Sequence, residues 1–408
     1  MKPLGPIPHG FSSQDGELVI GGHKASELAE MAGRTPVFVY SRASLTARVA
    51  ALRAALPTEV SLHYAVKANP HPGVLRHLAG LVDGFDIASA GELAIVCEAG
   101  IDPSIVSFAG PGKRDDELRK AIELGVTVNL ESENEAARAL AIANELGKRP
   151  RLAIRVNPDF DLKGSGMKMG GGAKPFGIDA ERVPALVKQV LASGAEWRGF
   201  HIFAGSQALD ANAVIETQRQ TLELAARLAD EAQVALPACN LGGGFGIPYF
   251  PGDEPLDIAA VGQALAENLA NRPAALRDTR FCVELGRYLV GEAGVYLTRI
   301  VDRKISHGEV YLITDGGLHH QLAASGNFGT VVRRNYPSAI ATKYGAPVED
   351  EANIVGCLCT PLDRLADKGG FPRAEVGDLV AVFCAGAYGA TASPAMFLGQ
   401  GPAAELIV

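Results

Sequence analysis

Between about residue 60 and residue 287, short apolar runs alternate with Ala-rich stretches whose apolar residues recur at helical spacing. The runs cover 61–66, 84–88, 105–109, 127–130, 152–156, 199–204, 238–241 and 281–285. Short apolar runs bounded by turn residues predict buried strands. The stretches 90–99, 115–124, 133–146, 183–192, 214–232 and 258–271 predict amphipathic helices between them. Eight such units with parallel strands predict a closed (β/α)8 barrel rather than an open sheet, because no GxGxxG follows the first strand. After residue 287 the grain changes: 294–303, 309–315, 353–357 and 378–384 are strand-like and separated by turns, without long helices. The expected fold is therefore α/β, a TIM barrel over 41–287 plus an all-β domain over 288–408. The segment 1–40, with Val37-Phe38-Val39-Tyr40, is expected to complete the β domain. A loop rich in Gly, Lys and Met, 164–175, has the makings of a lid.

With 408 residues and 47% apolar content, the chain can bury a large core. A net charge of -8 argues against nucleic acid and against an anionic membrane surface. Cysteines at 97, 239, 282, 357, 359 and 384 form no metal-type array, so no metal is expected, and free thiols in a reducing, cytoplasmic setting are. Residues 1–13 lack the apolar core of a signal peptide. The uncharged stretch 379–404 is broken by Gly386, Gly389, Ser393-Pro394 and Gly399, and reads as a strand and loop rather than a membrane span.

Four features fall at or just beyond strand ends on the face where barrels carry their sites. The first run leads into Lys67 and then breaks at Ala68-Asn69-Pro70. A lysine delivered there is either a solvated cap or a desolvated amine able to form a Schiff base. The sixth run presents His201, then a small-residue turn ending Gly205-Ser206-Gln207. The seventh ends in Gly242-Gly243-Gly244, either a tight turn or a phosphate-binding loop. The eighth ends in Glu284-Leu285-Gly286-Arg287, either an internal ion pair or a carboxylate for a ligand cation with Arg287 on a phosphate. Together they describe one ligand with an aldehyde, a phosphate and a basic ring nitrogen: pyridoxal 5′-phosphate.

These motifs resemble the fold-type III pyridoxal-phosphate decarboxylases, the ornithine/diaminopimelate decarboxylase family, whose barrel is alanine-racemase-like. The resemblance runs from about 36 to 400. It includes Phe85-Asp86-Ile87-Ala88-Ser89-Ala90-Gly91-Glu92, Gly356-Cys357-Leu358-Cys359-Thr360-Pro361-Leu362-Asp363 and Gly386-Ala387-Tyr388-Gly389. It implies that Lys67 carries the cofactor, His201 stacks on its ring and Glu284 binds the ring nitrogen. It also places Asp86 and Gly286 beside the cofactor, and Ser206, Gly243, Gly244, Arg287 and Tyr388 around the phosphate. Cys359 is implied to enter from the partner subunit of a homodimer and protonate Cα.

The departures concern substrate. Thr360 stands where ornithine-type enzymes carry an acidic residue, and Ala323 where diaminopimelate-type enzymes carry an arginine. Candidate substrate contacts are Arg287, Arg333, Arg334, Tyr336, Thr360 and Asp363. A narrower resemblance rests on Lys168-Met169-Gly170-Gly171, Gly317-Leu318-His319-His320 and Arg334-Asn335-Tyr336-Pro337. It points to the branch of carrier-protein-bound glutamate decarboxylases and decarboxylases associated with exosortase A loci. The expected activity is α-decarboxylation of an L-amino acid, free or tethered to a carrier protein. The alternatives are diaminopimelate decarboxylase and an amino-acid racemase, and Glu284 at the ring nitrogen argues against the racemase.

Overall fold

The structure is a computed structural model and describes all residues except 163, 165 and 327–332. The chain divides into two compact units. One comprises Arg48–Gly246 and Pro255–Gly286; the other comprises Met1–Ala47, Ile247–Glu254 and Arg287–Val408.

The first unit is the barrel. Its strands are Val60–Ala65, Gly84–Ile87, Val106–Phe108, Thr127–Leu130, Arg151–Asn157, Glu196–Ile202, Ala238–Gly243 and Arg280–Leu285. All eight are parallel, and the ring closes where Glu284 of the last strand stands opposite His63 of the first. The sixth strand starts before the apolar run that announced it. Glu196 and Trp197 pair with Arg151 and Leu152, and the register shifts between Trp197 and Gly199. Gly199, at φ 102, lies so close to the seventh strand that a Cβ would sit 1.8 Å from the Ala238 carbonyl oxygen. Only glycine fits that approach. Asp115–Leu124, Glu133–Leu146 and Val183–Ala192 are helices with the expected bounds. Two further helices, Arg42–Ala55 and Pro72–Leu78, were not anticipated. Ser89 and Ser132 cap the helices they precede by accepting from the Glu92 and Glu135 backbone N–H groups, worth about 1 kcal/mol each.

In the second unit the long strand Gly294–Ser306 pairs antiparallel with Val37–Tyr40, Glu309–Thr314 and Leu379–Val382. The N-terminal strand therefore joins the β sheet, and Ala404–Ile407 adds parallel to its other side. Leu18, Leu28, Val37, Val295, Leu297 and Phe383 pack into one core. The strand Arg364–Phe371 was missed, because Asp367, Lys368, Gly369 and Gly370 hide its apolar alternation. No helix among the described residues is long and apolar enough to cross a membrane.

Candidate active site

The barrel's C-terminal face holds a cavity of about 280 Å³ whose lining includes Lys67, Asp86, Arg155 and Glu284. The first strand ends at Ala65, and the 3-10 turn Val66–Ala68 carries Lys67. Lys67 is exposed, just beyond the end of the strand. Its Nζ lies 5.5 Å from the centroid of the Phe203 ring.

Glu284 is buried at the end of the eighth strand. His201 Nε2 lies 2.8 Å from its Oε2, and Asn240 Nδ2 donates to the same oxygen at 3.4 Å. Burial pushes this carboxyl up, but the hydrogen bond and charge of His201, with Lys67 and Arg155 nearby, hold it down at about 2. An ionised carboxylate only accepts, so His201 Nε2 is the donor. The resemblance gave His201 the stacking position. Here its ring is engaged edge-on with Glu284, and the aromatic ring beside Lys67 belongs to Phe203.

Asp86 is the next polar group inward. His63 Nδ1 lies 3.3 Å from Asp86 Oδ2. Burial pushes His63 down, but the neighbouring Asp86 outweighs it, and the net direction is upward. Gly84 makes room for that ring: a Cβ there would sit 2.7 Å from His63 Nε2.

The seventh strand ends at Gly243, and neither that glycine nor the next tolerates a side chain. A Cβ on Gly243 would lie 2.0 Å from the Glu284 carbonyl oxygen, and one on Gly244 would lie 2.3 Å from that of Gly205. These backbone approaches suit a turn that offers N–H groups to an anion. Ser206, in the strand Gly205–Ser206, pairs with Met167–Lys168 of the expected lid. Met169 and Gly170 donate to the Ala204 carbonyl. Ser165 of that loop lies outside the described residues.

A buried charge network beside the cavity was not foreseen. Lys113 Nζ donates to Glu135 Oε1 at 2.7 Å and to the carbonyls of Gly110 and Asn129 at 2.8 Å. Burial pushes Lys113 down and Glu135 up. Arg155 donates to Glu131 at 2.8 Å, and Glu131 also accepts from the backbone of Gly110 and Gly177. One carboxylate thus fixes two loops and an arginine of the cavity wall. Arg155, a charge inside the run Leu152-Ala153-Ile154-Arg155-Val156, was the available signal, as was Glu131 directly after the fourth strand.

The β unit carries the remaining candidates. Arg287 donates to the Tyr249 hydroxyl at 2.9 Å, and its guanidinium lies 4.8 Å from the Tyr388 ring centroid. Tyr388 has φ 55, a left-handed conformation few side chains adopt. Tyr336 is buried against Tyr249 and Phe250. Arg334 lies over the Phe250 ring at 3.9 Å and 3.9 Å from Asp253. Arg333 is engaged with the carbonyls of Ser325 and Leu362. Asp363, only 3% exposed, accepts from the backbone of Leu318 and Leu358 and is a loop anchor here. Thr360 accepts from the Leu362 N–H, and Cys357 and Cys359 are exposed thiols.

Residues 42–291 match the family described as pyridoxal-dependent decarboxylase, pyridoxal binding domain. The chain belongs to the pyridoxal-dependent decarboxylases. It is 35% identical to the L-glutamyl-[BtrI acyl-carrier protein] decarboxylase of Niallia circulans, over 91% of this chain and 88% of that one. It is 33% identical to the diaminopimelate decarboxylase of Archaeoglobus fulgidus, over 98% and 93%. Among solved structures, the diaminopimelate decarboxylase of M. jannaschii in co-complex with L-lysine matches with a TM-score of 0.86 at 25% identity, over 98% of this chain and 93% of that one. This pyridoxal-dependent decarboxylase takes pyridoxal phosphate as its cofactor, and the residues present fit it. An amine, a buried ionised carboxylate and a glycine turn that a Cβ would obstruct lie in one unit. Its chemistry is amino-acid decarboxylation, and the racemase alternative is not favoured.

Proposed function

We propose that this decarboxylase removes CO₂ from the Cα of an L-amino acid whose distal end is tethered to a carrier protein. The observation that carries this reading is the state of the charges around the missing substrate anchors. Thr360 and Ala323 are uncharged, Arg333 is engaged with backbone carbonyls, and Asp363 is engaged with backbone N–H groups. A free ammonium or carboxylate at the substrate's far end would lose its charged partner, whereas a thioester needs none. The 35% identity to a decarboxylase named for an acyl-carrier-protein substrate supports the same reading.

Lys67 holds the cofactor covalently, and Glu284 binds its ring nitrogen. Asp86 and Gly286 flank it. Ser206, Gly243 and Gly244 are assigned to its phosphate. Bound pyridoxal phosphate supplies the electron sink for the pair left on Cα when CO₂ departs. Glu284 serves that sink by staying ionised, so that a proton on the ring nitrogen is retained. The partner's Cys359 returns a proton to Cα, which makes a homodimer the working unit. The diaminopimelate reading rests on the relatives of that name and on Arg334, which is exposed.

Borohydride reduction of the purified holoenzyme should fix a pyridoxyl group on the Lys67 peptide. Incubation of a separate, unreduced sample of holoenzyme with glutamyl-loaded carrier protein should release CO₂ and shorten the acyl group by one carboxyl. A pyridoxyl group mapped to another lysine, or no loss of CO₂ from any loaded carrier, would sink the reading.

A further inference from the structure

The interior of a (β/α)8 barrel is ordinarily filled by layers of Val, Ile and Leu. Near the strand starts of this barrel the side chains that would form the lowest layer are small or polar. In register, Arg280 stands beside Ala238, and two residues on Cys282 stands between Ser61 and Asn240. Elsewhere in the ring Arg151 stands beside Thr127, and Ala153 beside Asn129. These residues line a second cavity, of about 350 Å³, at the N-terminal ends of the strands. Arg151, Arg198 and Arg280 are in its wall at the level of the strand starts. Asn240 and its register neighbour His201 form a polar floor two residues deeper than Ala238, roughly 6.6 Å along a strand.

The charges at the mouth do not balance. Arg198 donates to Glu196 at 2.8 Å, and Arg151 lies 3.6 Å from the same carboxylate oxygen. Arg151 also donates to the carbonyls of Ser104 and Gly125. Burial pushes Arg151 down and Arg198 pushes it the same way; Glu196 and Asp102 offset this only in part. Asp83, also in the wall, is taken by Arg53 at 2.7 Å. Arg280 is exposed and has no hydrogen bond or ion pair among the described residues. One carboxylate is thus shared by two arginines, and the third arginine has none. At the floor, His201 is 3% exposed; its Nε2 is on Glu284, and its buried Nδ1 has no partner among the described residues.

We infer that this cavity binds a small polar carboxylate, its anionic end at the arginines of the mouth and its hydroxyl or amino end on the floor. A guanidinium presents a fork of N–H donors that matches carboxylate oxygens. The orphaned Nδ1 and the Asn240 side chain are polar groups that the far end of such a ligand reaches. Lys67 and Glu284 line the other cavity, so an occupant here does not compete with pyridoxal phosphate.

The probe is L-malate, titrated calorimetrically into the full-length protein saturated with pyridoxal phosphate. Malate should bind, and Arg280→Gln should weaken it roughly tenfold or more, the loss expected for one charged hydrogen bond. Ala238→Leu fills the space beside Arg280 without removing a charge and should abolish binding. An overfilled barrel can fail to fold, and Arg280→Gln, a change at an exposed side chain, then decides alone. Inorganic phosphate, too compact to span mouth and floor, should bind roughly fivefold weaker than malate or worse. The assignment is overturned if malate does not bind, if Arg280→Gln leaves its affinity unchanged, or if phosphate binds as tightly as malate.

Discussion

Replacing Glu284 by glutamine isolates charge from shape. The side chain is 6% exposed, with His201 Nε2 at 2.8 Å and Asn240 Nδ2 at 3.4 Å on one oxygen. A glutamine carbonyl can accept from both, so packing and the two donors survive and only the negative charge is lost. Removing a fixed group that stabilises charge developing in the transition state typically costs on the order of 10²–10³ in turnover. Glu284→Ala removes the same charge and also strands two buried donors, at about 1–3 kcal/mol each. The two variants should therefore lose turnover alike, with cofactor still fixed on Lys67; both lose the stability tied to the charge, and the alanine variant loses that of the two stranded donors besides. Turnover is followed by CO₂ release and stability by the urea midpoint. Near-normal turnover in Glu284→Gln would show that the charge is not needed, and equal midpoints for the two variants would show that the two donors are not held by this side chain.

Lys113→Met should destabilise the barrel by about 3–5 kcal/mol, because it leaves Glu135 buried without its cation; a Lys113→Met/Glu135→Leu double variant should regain most of that in chemical denaturation. Glu284's carboxyl is held at about 2, below its ordinary 4.5, so its share of stability is full above pH 4.5 and is lost as pH falls toward 2. Urea midpoints should accordingly fall more steeply for wild type than for Glu284→Gln across that window, and parallel curves would contradict the pairing with His201. Lys67→Ala and Cys359→Ala proteins, each inactive, should regain activity when unfolded and refolded together, since one hybrid site receives both residues; verified heterodimers without activity would remove Cys359 from the partner's role.

Much of the barrel was legible because its strands are buried on both faces and its helices carry one apolar stripe. Asp115–Leu124 could be read to the residue, since charges precede it and Gly125 follows. Polar strand ends such as Glu196 and Trp197 were not legible, because their pairing with Arg151 and Leu152 is set by distant sequence. The same limit explains the site. Lys67, Glu284 and the glycine turn announce themselves at strand ends. The charges on Lys113, Glu131, Glu135 and Arg155 become a network only when three loops converge, and single-residue reading gives no partner for any of them. That His201 reaches Glu284 is likewise set by tertiary geometry. Alternation along a strand fixes a side, but it does not fix a depth.

If the enzyme acts on a tethered aminoacyl group, the carrier contributes to catalytic specificity. The most direct measurement compares kcat/KM for glutamyl-loaded carrier protein, free glutamate and free meso-diaminopimelate on one holoenzyme preparation. A missing charged partner at the distal end costs about 1.5–3 kcal/mol, roughly ten- to a hundredfold in specificity. The loaded carrier should exceed both free amino acids by at least that factor. Free meso-diaminopimelate turned over as efficiently as the loaded carrier, or better, would contradict it.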